Sequence, residues 1–385
     1  MKKATMATRR EIIARSRIKY RKSAKTGKSA ILDSVCLSTG LSRSRAKHLL
    51  LQYGKVVSRV HERGRKPKYE KKTVVALEKI WALMDFPCGR RLVVGMSDML
   101  GALIRFNEIK LDADTLQQLR DMSSATADRL LKKPRDKMAL KGRSTTKPGI
   151  LLKRDIPIRL GTEWDDAIPG YVEIDLVAHC GASARGDYLN TLDVTDVCTG
   201  WTETQSVRNK AQQYVFTALL DIEKRMPFPY KGIDSDNGSE FINDHLYRYC
   251  RDNRICFTRS RPYHKNDNCY VEQKNWHVIR RNIGYARYEG SWAVNAMNKY
   301  YEVLRLYSNF FLPHTKLIEK YRDGSRIHKR YDTPQTPYRR VLQEETVPNE
   351  VKDNLKAQYA TLNPAQLKRD MIKLSEKLSK LSIKS

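Results

Sequence analysis

The chain has 385 residues, 40% of them hydrophobic, and a formal net charge of +30 from 73 Lys and Arg against 43 Asp and Glu. That size and apolar content suit two or three folded domains and exclude wholesale disorder, and the positive excess points to a polyanion, with nucleic acid first. A membrane surface fits less well, because no run of about 18 apolar residues and no apolar signal core exists, and seven cysteines without a CxxC pair read as reduced thiols of a cytosolic protein.

Charge is uneven along the chain. Residues 1–70 hold 20 Lys and Arg but 4 Asp and Glu, and residues 1–28 read as a basic arm. Next, 30-AILDSVCLSTGLSRSRAKHLLLQY-53 carries apolar residues at helical spacing on both sides of Gly40. Two helices joined at Gly40, with Ser42 as N-cap of the second, make a helix-turn-helix pattern. The second helix exposes Arg43, Arg45, Lys47 and His48, a face suited to a DNA groove; a helical hairpin with a solvated basic face is the plain alternative. A basic linker (63-RGRKPKY-69) follows, then two helices over 73–106 broken at Phe86-Pro87-Cys88-Gly89. A second turn pattern is expected at 112–133, where a shift of 81 residues pairs Leu41 with Met122, Ser42 with Ser123, Ala46 with Ala127 and Leu49 with Leu130. Residues 134–160 read as an extended basic linker.

A new domain then begins. Strands are predicted at 171–179, 188–196, 200–207, 231–236 and 255–258, and helices at 209–225, 239–252 and 269–283. Two hairpin-linked strand pairs followed by alternating helices and strands imply a mixed sheet with helices packed on it. Beyond it lie a helical stretch at 292–311, a basic Pro-containing segment at 322–342 and a terminal helix at 364–381. That last helix carries Leu367, Met371, Leu374, Leu378 and Leu381 on one face. It suits either a coiled-coil partner or the chain's own domain.

Three acids stand out. Asp175 interrupts an apolar strand, where an uncompensated carboxylate would cost several kcal/mol, and Glu173 lies on the same strand face. Asp236 ends a strand, where open α/β sheets place their sites, and Asn237-Gly238 allows close backbone approach. Glu272 starts the helix after the loop 262-PYHKNDNCYVEQKNW-276, and Asn275, Trp276 and Ile279 continue its expected face. Three converging carboxylates need cations, and hard oxygen donors select Mg²⁺ or Mn²⁺ over zinc. Two such ions, roughly 3.5–4 Å apart, suit in-line phosphoryl transfer. Asp193, Asp196, Glu203 and Glu240 compete for the same role, and capping or solvation explains any single one of these acids.

The blocks 171-YVEIDLVAHCG-181, 233-IDSDNGSEF-241 and 261-RPYHKNDNCYVEQKNW-276 resemble the catalytic core of DDE transposases and retroviral integrases. Thirty-five residues, 237–271, separate Asp236 from Glu272, which is that family's interval. The resemblance covers about residues 165–290, and the flanking layout resembles a bacterial insertion-sequence transposase. It implies an RNase H-like fold with Asp175, Asp236 and Glu272 as catalytic, metal-binding residues for two Mg²⁺ ions, with Mn²⁺ able to substitute. The expected chain is multidomain: basic arm and first helix-turn-helix (1–70), second helix-turn-helix region (71–135), linker (136–164), five-stranded α/β core (165–290), and a C-terminal helical and basic region for DNA binding and assembly (291–385). The resemblance also implies end cleavage by water and strand transfer by the freed 3′-hydroxyls. The partners would be double-stranded DNA (terminal inverted repeats and target) and further copies of the chain, in the nucleoid of a bacterial cytoplasm. Asn237, His264, Lys265, Asn268, Lys274, Arg280 and Arg281 are candidate DNA contacts. No zinc is expected, because His48, His61, Cys36 and Cys88 lack the pairing of a viral zinc module. The alternatives are a DNA-binding regulator with an inactive core, an RNase H-like nuclease and, more weakly, a tyrosine recombinase.

Overall fold

The computed structural model describes residues 5–51, 68–137, 168–236, 238, 240–241, 244–259, 269–323 and 326–383. The chain divides into two compact units, Met1–Lys68 and Tyr69–Ser385.

In the first unit, the expected basic arm is largely a helix, α1 (Met6–Lys22), followed by α2 (Lys25–Thr39) and α3 (Arg43–Leu51). Tyr20 and Ile13 of α1 bury against Leu32 and Val35 of α2 and Ala46 and Leu50 of α3. A third helix is what gives the short α2–α3 pair a core to close on. Gly40 takes the left-handed conformation that ends α2 (φ 66°), a position where L side chains are strained. The Ser42 Oγ accepts from the Arg45 N–H at 3.4 Å, as an N-cap would.

The second unit begins with five helices: α4 (Lys71–Leu83), α5 (Gly89–Arg105), α6 (Ala113–Arg120), α7 (Ser124–Leu130) and α8 (Lys132–Lys137). Asp112 caps α6 and Ser123 caps α7, each accepting a backbone N–H three residues on. The central sheet comprises β1 (Tyr171–Ala178), β2 (Asn190–Asp196), β3 (Thr202–Val207), β4 (Gly232–Ser235) and β5 (Cys256–Arg259). Their spatial order is β3-β2-β1-β4-β5, with antiparallel β1–β2 and β2–β3 pairs and parallel β1–β4 and β4–β5 pairs. Parallel neighbours need crossovers; α9 (Gln212–Glu223) leads into β4 and α10 (Asp244–Asp252) into β5. Every residue of β2 is buried, because helices cover the sheet. Val215, Leu219 and Ile222 of α9 share one core with Ile174, Leu192 and Ile233. Val177 and Leu189 share another with Met297, Tyr301 and Leu304 of α13 (Gly290–Phe311).

After β5 come α11 (Cys269–Lys274), a π-helical turn (Asn275–Arg280) and α12 (Arg281–Ile283). The predicted single helix over 269–283 therefore widens within its length. Beyond α13, residues 317–331 form a hairpin of β6 (Leu317–Asp323) and β7 (Arg326–Tyr331), where the sequence suggested an irregular basic segment. The chain ends in α14 (Pro337–Gln343), α15 (Asn349–Thr361) and α16 (Pro364–Ser379). Met371 and Leu378 of α16 bury in the core formed by α13, so this helix packs on its own domain.

Candidate active site

β1 lies at the centre of the sheet, with β2 on one side and β4 on the other. The parallel register pairs Ile174 with Ser235. One residue further along both strands come Asp175 and Asp236, so the two acids sit side by side at the carboxyl end of β4. Both are half-buried.

Asp236 is held by the turn that follows. Its Oδ1 accepts the Gly238 N–H at 2.9 Å. A Cβ on Gly238 would stand 2.7 Å from the Glu240 carboxyl carbon and 2.8 Å from Asp236 Oδ1, so a side chain there would displace both carboxyl groups. Burial pushes the Asp236 carboxyl above the usual carboxylate range and the neighbouring Glu240 adds to it, while the Gly238 N–H opposes them.

Asp175 accepts from the Asn275 side-chain amide at 2.6 Å through Oδ2, and from the Leu176 N–H at 2.7 Å through Oδ1. Two residues earlier on the same strand face, the buried Glu173 accepts the Val271 N–H at 3.0 Å. The helix carrying Glu272 is thus fastened to β1 just before and just after Glu272. The Glu272 side chain itself lies outside the described residues, as do Asn237, His264, Lys265 and Asn268. Of the expected helix face, Asn275 meets Asp175 and Ile279 is buried, but Trp276 is exposed. One step around a helix already turns Trp276 away from Asn275.

Across β1 from Asp236, Asp193 of β2 is paired with Asp175 in register. Asp193 is fully buried, and among the described residues its Oδ2 has no hydrogen-bond partner. Burial pushes its carboxyl up to about 8, with Lys274 and Thr195 opposing and Asp175 adding. Lys274 donates to the Gly200 carbonyl at 3.0 Å; burial brings its ammonium down to about 8 against the pull of Asp193. Gly200 is fixed in turn: with φ +71°, its Cβ would stand 2.1 Å from His314 Nε2.

Two of the other competing acids, Asp196 and Glu203, have structural employment, as does Asp234. Asp196 accepts the Gly170 N–H at 2.8 Å and both the N–H and hydroxyl of Thr199 at 2.7 Å. Glu203 accepts from Trp201 Nε1 at 2.9 Å, Arg305 Nε at 2.6 Å and Arg225 Nε at 3.4 Å. Asp234 accepts the Thr258 hydroxyl at 2.6 Å, tying β4 to β5.

Of the remaining expected DNA contacts, Arg280 donates to the Ala178 carbonyl at 2.8 Å and lies over the Tyr285 ring, and Arg281 donates to the Asp85 carbonyl. In the first unit, Arg43 pairs with Asp33 and donates to Ser29, while Arg45, Lys47 and His48 are exposed on α3.

Among the described residues, no three His, Cys, Asp or Glu side chains are grouped to hold a metal; Glu272 falls outside that set. The donors around Asp175 are nonetheless of one kind. Among the described residues, Asn275 Oδ1 and Asp193 Oδ2 are buried oxygens without a hydrogen-bond partner, and both residues adjoin the Asp175 carboxylate. An all-oxygen set of this kind fits a hard divalent cation. Neither Asn275 nor Asp193 was among the residues assigned to the site from sequence. The signal for Asn275 was its position three residues after Glu272, one turn along the same helix face.

The family model for the integrase core domain matches residues 166–265. Over 341 residues, 88% of this chain and 96% of the relative, the sequence is 37% identical to the protein named Uncharacterized protein y4rM of Sinorhizobium fredii (strain NBRC 101917 / NGR234). Among solved structures, it is similar to the HTLV-2 integrase catalytic core domain in complex with magnesium (dimeric form), at 12% identity and a TM-score of 0.30, covering 39% of this chain and 93% of that one. It is also similar to the BIV integrase catalytic core domain in crystal form I, at 15% identity and a TM-score of 0.28, covering 44% and 91%.

Proposed function

The chain belongs to the family of the rhizobial protein y4rM and carries an integrase core domain of the RNase H-like superfamily, and from this we propose that it is an insertion-sequence transposase. Asp175, Asp236 and Glu272 are its catalytic acids and hold two Mg²⁺ ions. When bound, the pair of ions polarises the scissile phosphate and the attacking oxygen. Water opens the phosphodiester at each transposon end, leaving a 3′-hydroxyl. That hydroxyl then attacks a target phosphodiester, so one P–O bond forms as another breaks and no protein–DNA bond is needed. The chain works as a homo-oligomer on duplex DNA. The α2–α3 and α6–α7 pairs read the ends as helix-turn-helix modules, with Arg45, Lys47 and His48 on the exposed face of α3.

One observation carries the reading. The helix of Glu272 is hydrogen-bonded to β1 through Val271 and Asn275, on either side of Glu272, and Asn275 bonds to Asp175 itself. An acid with no part in the site would not need its helix stapled to the strand that bears the first acid. Asn275 orients the Asp175 carboxylate, and the Gly238 N–H orients that of Asp236.

The test uses purified full-length protein, Mg²⁺ and the DNA flanking its own gene. Wild-type protein is expected to nick the element ends and join them to a plasmid. Glu272→Gln is expected to bind the same ends and do neither. If Glu272→Gln cuts and joins like the wild type, the third acid is misassigned. If both proteins bind ends without cutting, the chain is a regulator.

A further inference from the structure

The β6–β7 hairpin has no core of its own. Among the described residues, none from 317 to 331 belongs to any of the three hydrophobic clusters. A lone two-stranded hairpin is marginal in water, so its base must hold it. Lys316 N–H donates to Asp332 Oδ1 at 2.7 Å, and Asp332 N–H donates to the Lys316 carbonyl at 3.0 Å. Arg340 pairs with Asp332 at 2.7 Å, and Arg90 donates to the Asp332 carbonyl at 2.9 Å. The Lys316 ammonium reaches the Cys198 carbonyl at 2.7 Å. Cys198 and Gly200 belong to one turn, and Gly200 accepts from Lys274 of the helix that carries Glu272. The root of the hairpin and that helix therefore brace on the same turn between β2 and β3.

The two faces of the hairpin differ in charge. The register places Glu319 opposite Arg330, Tyr321 opposite His328 and Asp323 opposite Arg326 on one face. That face is neutralised internally: Glu319 and Arg330 pair at 3.0 Å, and the Tyr321 and His328 rings stack at 4.9 Å with 9° between planes. The other face sets Lys320 opposite Lys329 and Arg322 opposite Ile327. Like charges directly across a strand pair are destabilising. By register and sequence, that face of an already marginal hairpin is assigned three basic residues and no acid, a pattern that suits a polyanion laid against it.

We propose that this second face, with Lys320, Arg322 and Lys329, lies in the major groove of the DNA duplex and holds its phosphates beside the active site. A two-stranded ribbon fits that groove, and a seven-residue strand spans roughly 23 Å, about seven base pairs at roughly 3.4 Å each. The role rests on the transposase reading for its location but on the charge of the hairpin for its chemistry.

Lys320→Glu tests it in the full-length protein. The substitution turns a like-charge cross-strand pair into an opposite-charge one. The melting temperature should hold or rise while duplex binding weakens, a combination that lost structure would not produce. In a titration of log affinity against log salt, the slope should fall by about 0.9 for each phosphate contact removed, hence by about 1.8 in Lys320→Gln combined with Lys329→Gln. Arg330→Gln, on the neutralised face, should leave the slope unchanged. A slope in the double variant equal to that of the wild type would overturn the proposal. Cutting and joining are scored separately: a wild-type protein that binds duplex without cutting, and whose slope drops in the double variant, sinks the transposase reading and keeps the hairpin.

Discussion

Two sets of acids share one sheet and have different surroundings. At the β2–β3 side, Glu203 is buried against Arg305, Arg225 and Trp201, and Asp196 is wrapped by Thr199 and Gly170. Toward β4, Asp175 and Asp236 are half-buried, and the Glu240 carboxylate adds to the burial that raises the proton affinity of Asp236. An acid compensated by the protein's own cations belongs to the fold. An acid set beside further acids calls for a cation from outside. A carboxylate inside an apolar strand is therefore no marker of a site until its compensation is known.

The largest expected effect tests the structural set. Glu203→Gln leaves two partly exposed guanidinium groups facing a buried neutral amide, and breaking such a pair costs at most the loss of a fully buried one, about 3–5 kcal/mol. Denaturant unfolding should show that loss, while activity per folded molecule stays at the wild-type level. A specific loss of activity at full stability would move Glu203 to the other set. The next effect tests the functional set. Asn275→Ala removes the amide that orients Asp175, and residues supporting a metal ligand are typically worth about 10–100-fold in metal affinity or activity. A titration of activity against Mg²⁺ should shift by that order with little change in melting temperature. An unchanged titration would reduce Asn275 to a helix fastener.

Much of this division was legible from sequence. Four of the five strands lie within the predicted runs and β5 runs one residue past its own, to Arg259, because buried β-branched and apolar clusters bounded by Gly, Asp and Asn mark strands even where alternation is lost. The side-by-side placement of Asp175 and Asp236 needed the parallel β1–β4 register, which no local pattern encodes. The fate of Asp193 and Glu203 was not legible, since Lys274, which acts on Asp193, and Arg225 and Arg305, which pair with Glu203, are distant in the chain. The β6–β7 hairpin was missed for another reason. Its strands, LIEKYRD and RIHKRY, are crowded with charge, so period-two hydrophobicity is absent. The signal that remained was Asp323-Gly324 between two β-prone runs. Helix α1 was read as an arm because its charge outweighs the two residues, Ile13 and Tyr20, that it buries.

Asp193 stands between the two sets and gives the subtlest test. It is buried like Glu203, yet among the described residues its Oδ2 is unpartnered, and its register partner is Asp175. Its folded-state carboxyl is raised to about 8 from an ordinary value of 3.8. Between those two values the folded protein keeps a proton that the unfolded chain has released, so stability falls as pH rises through the window. The limiting slope is about 1.4 kcal/mol per pH unit. Asp193→Asn keeps the shape of the protonated acid and removes its titration. With chelator present, the melting temperature of the variant relative to wild type should climb between pH 6.5 and 7.5. Buried histidines such as His179 and His277, whose burial lowers them, titrate in both proteins and cancel in the difference. Parallel melting curves would mean that Asp193 is ionised in the fold, compensated by Lys274, and belongs with Glu203. A diverging pair would make it a neutral neighbour of Asp175, an oxygen whose proton a divalent cation displaces on binding.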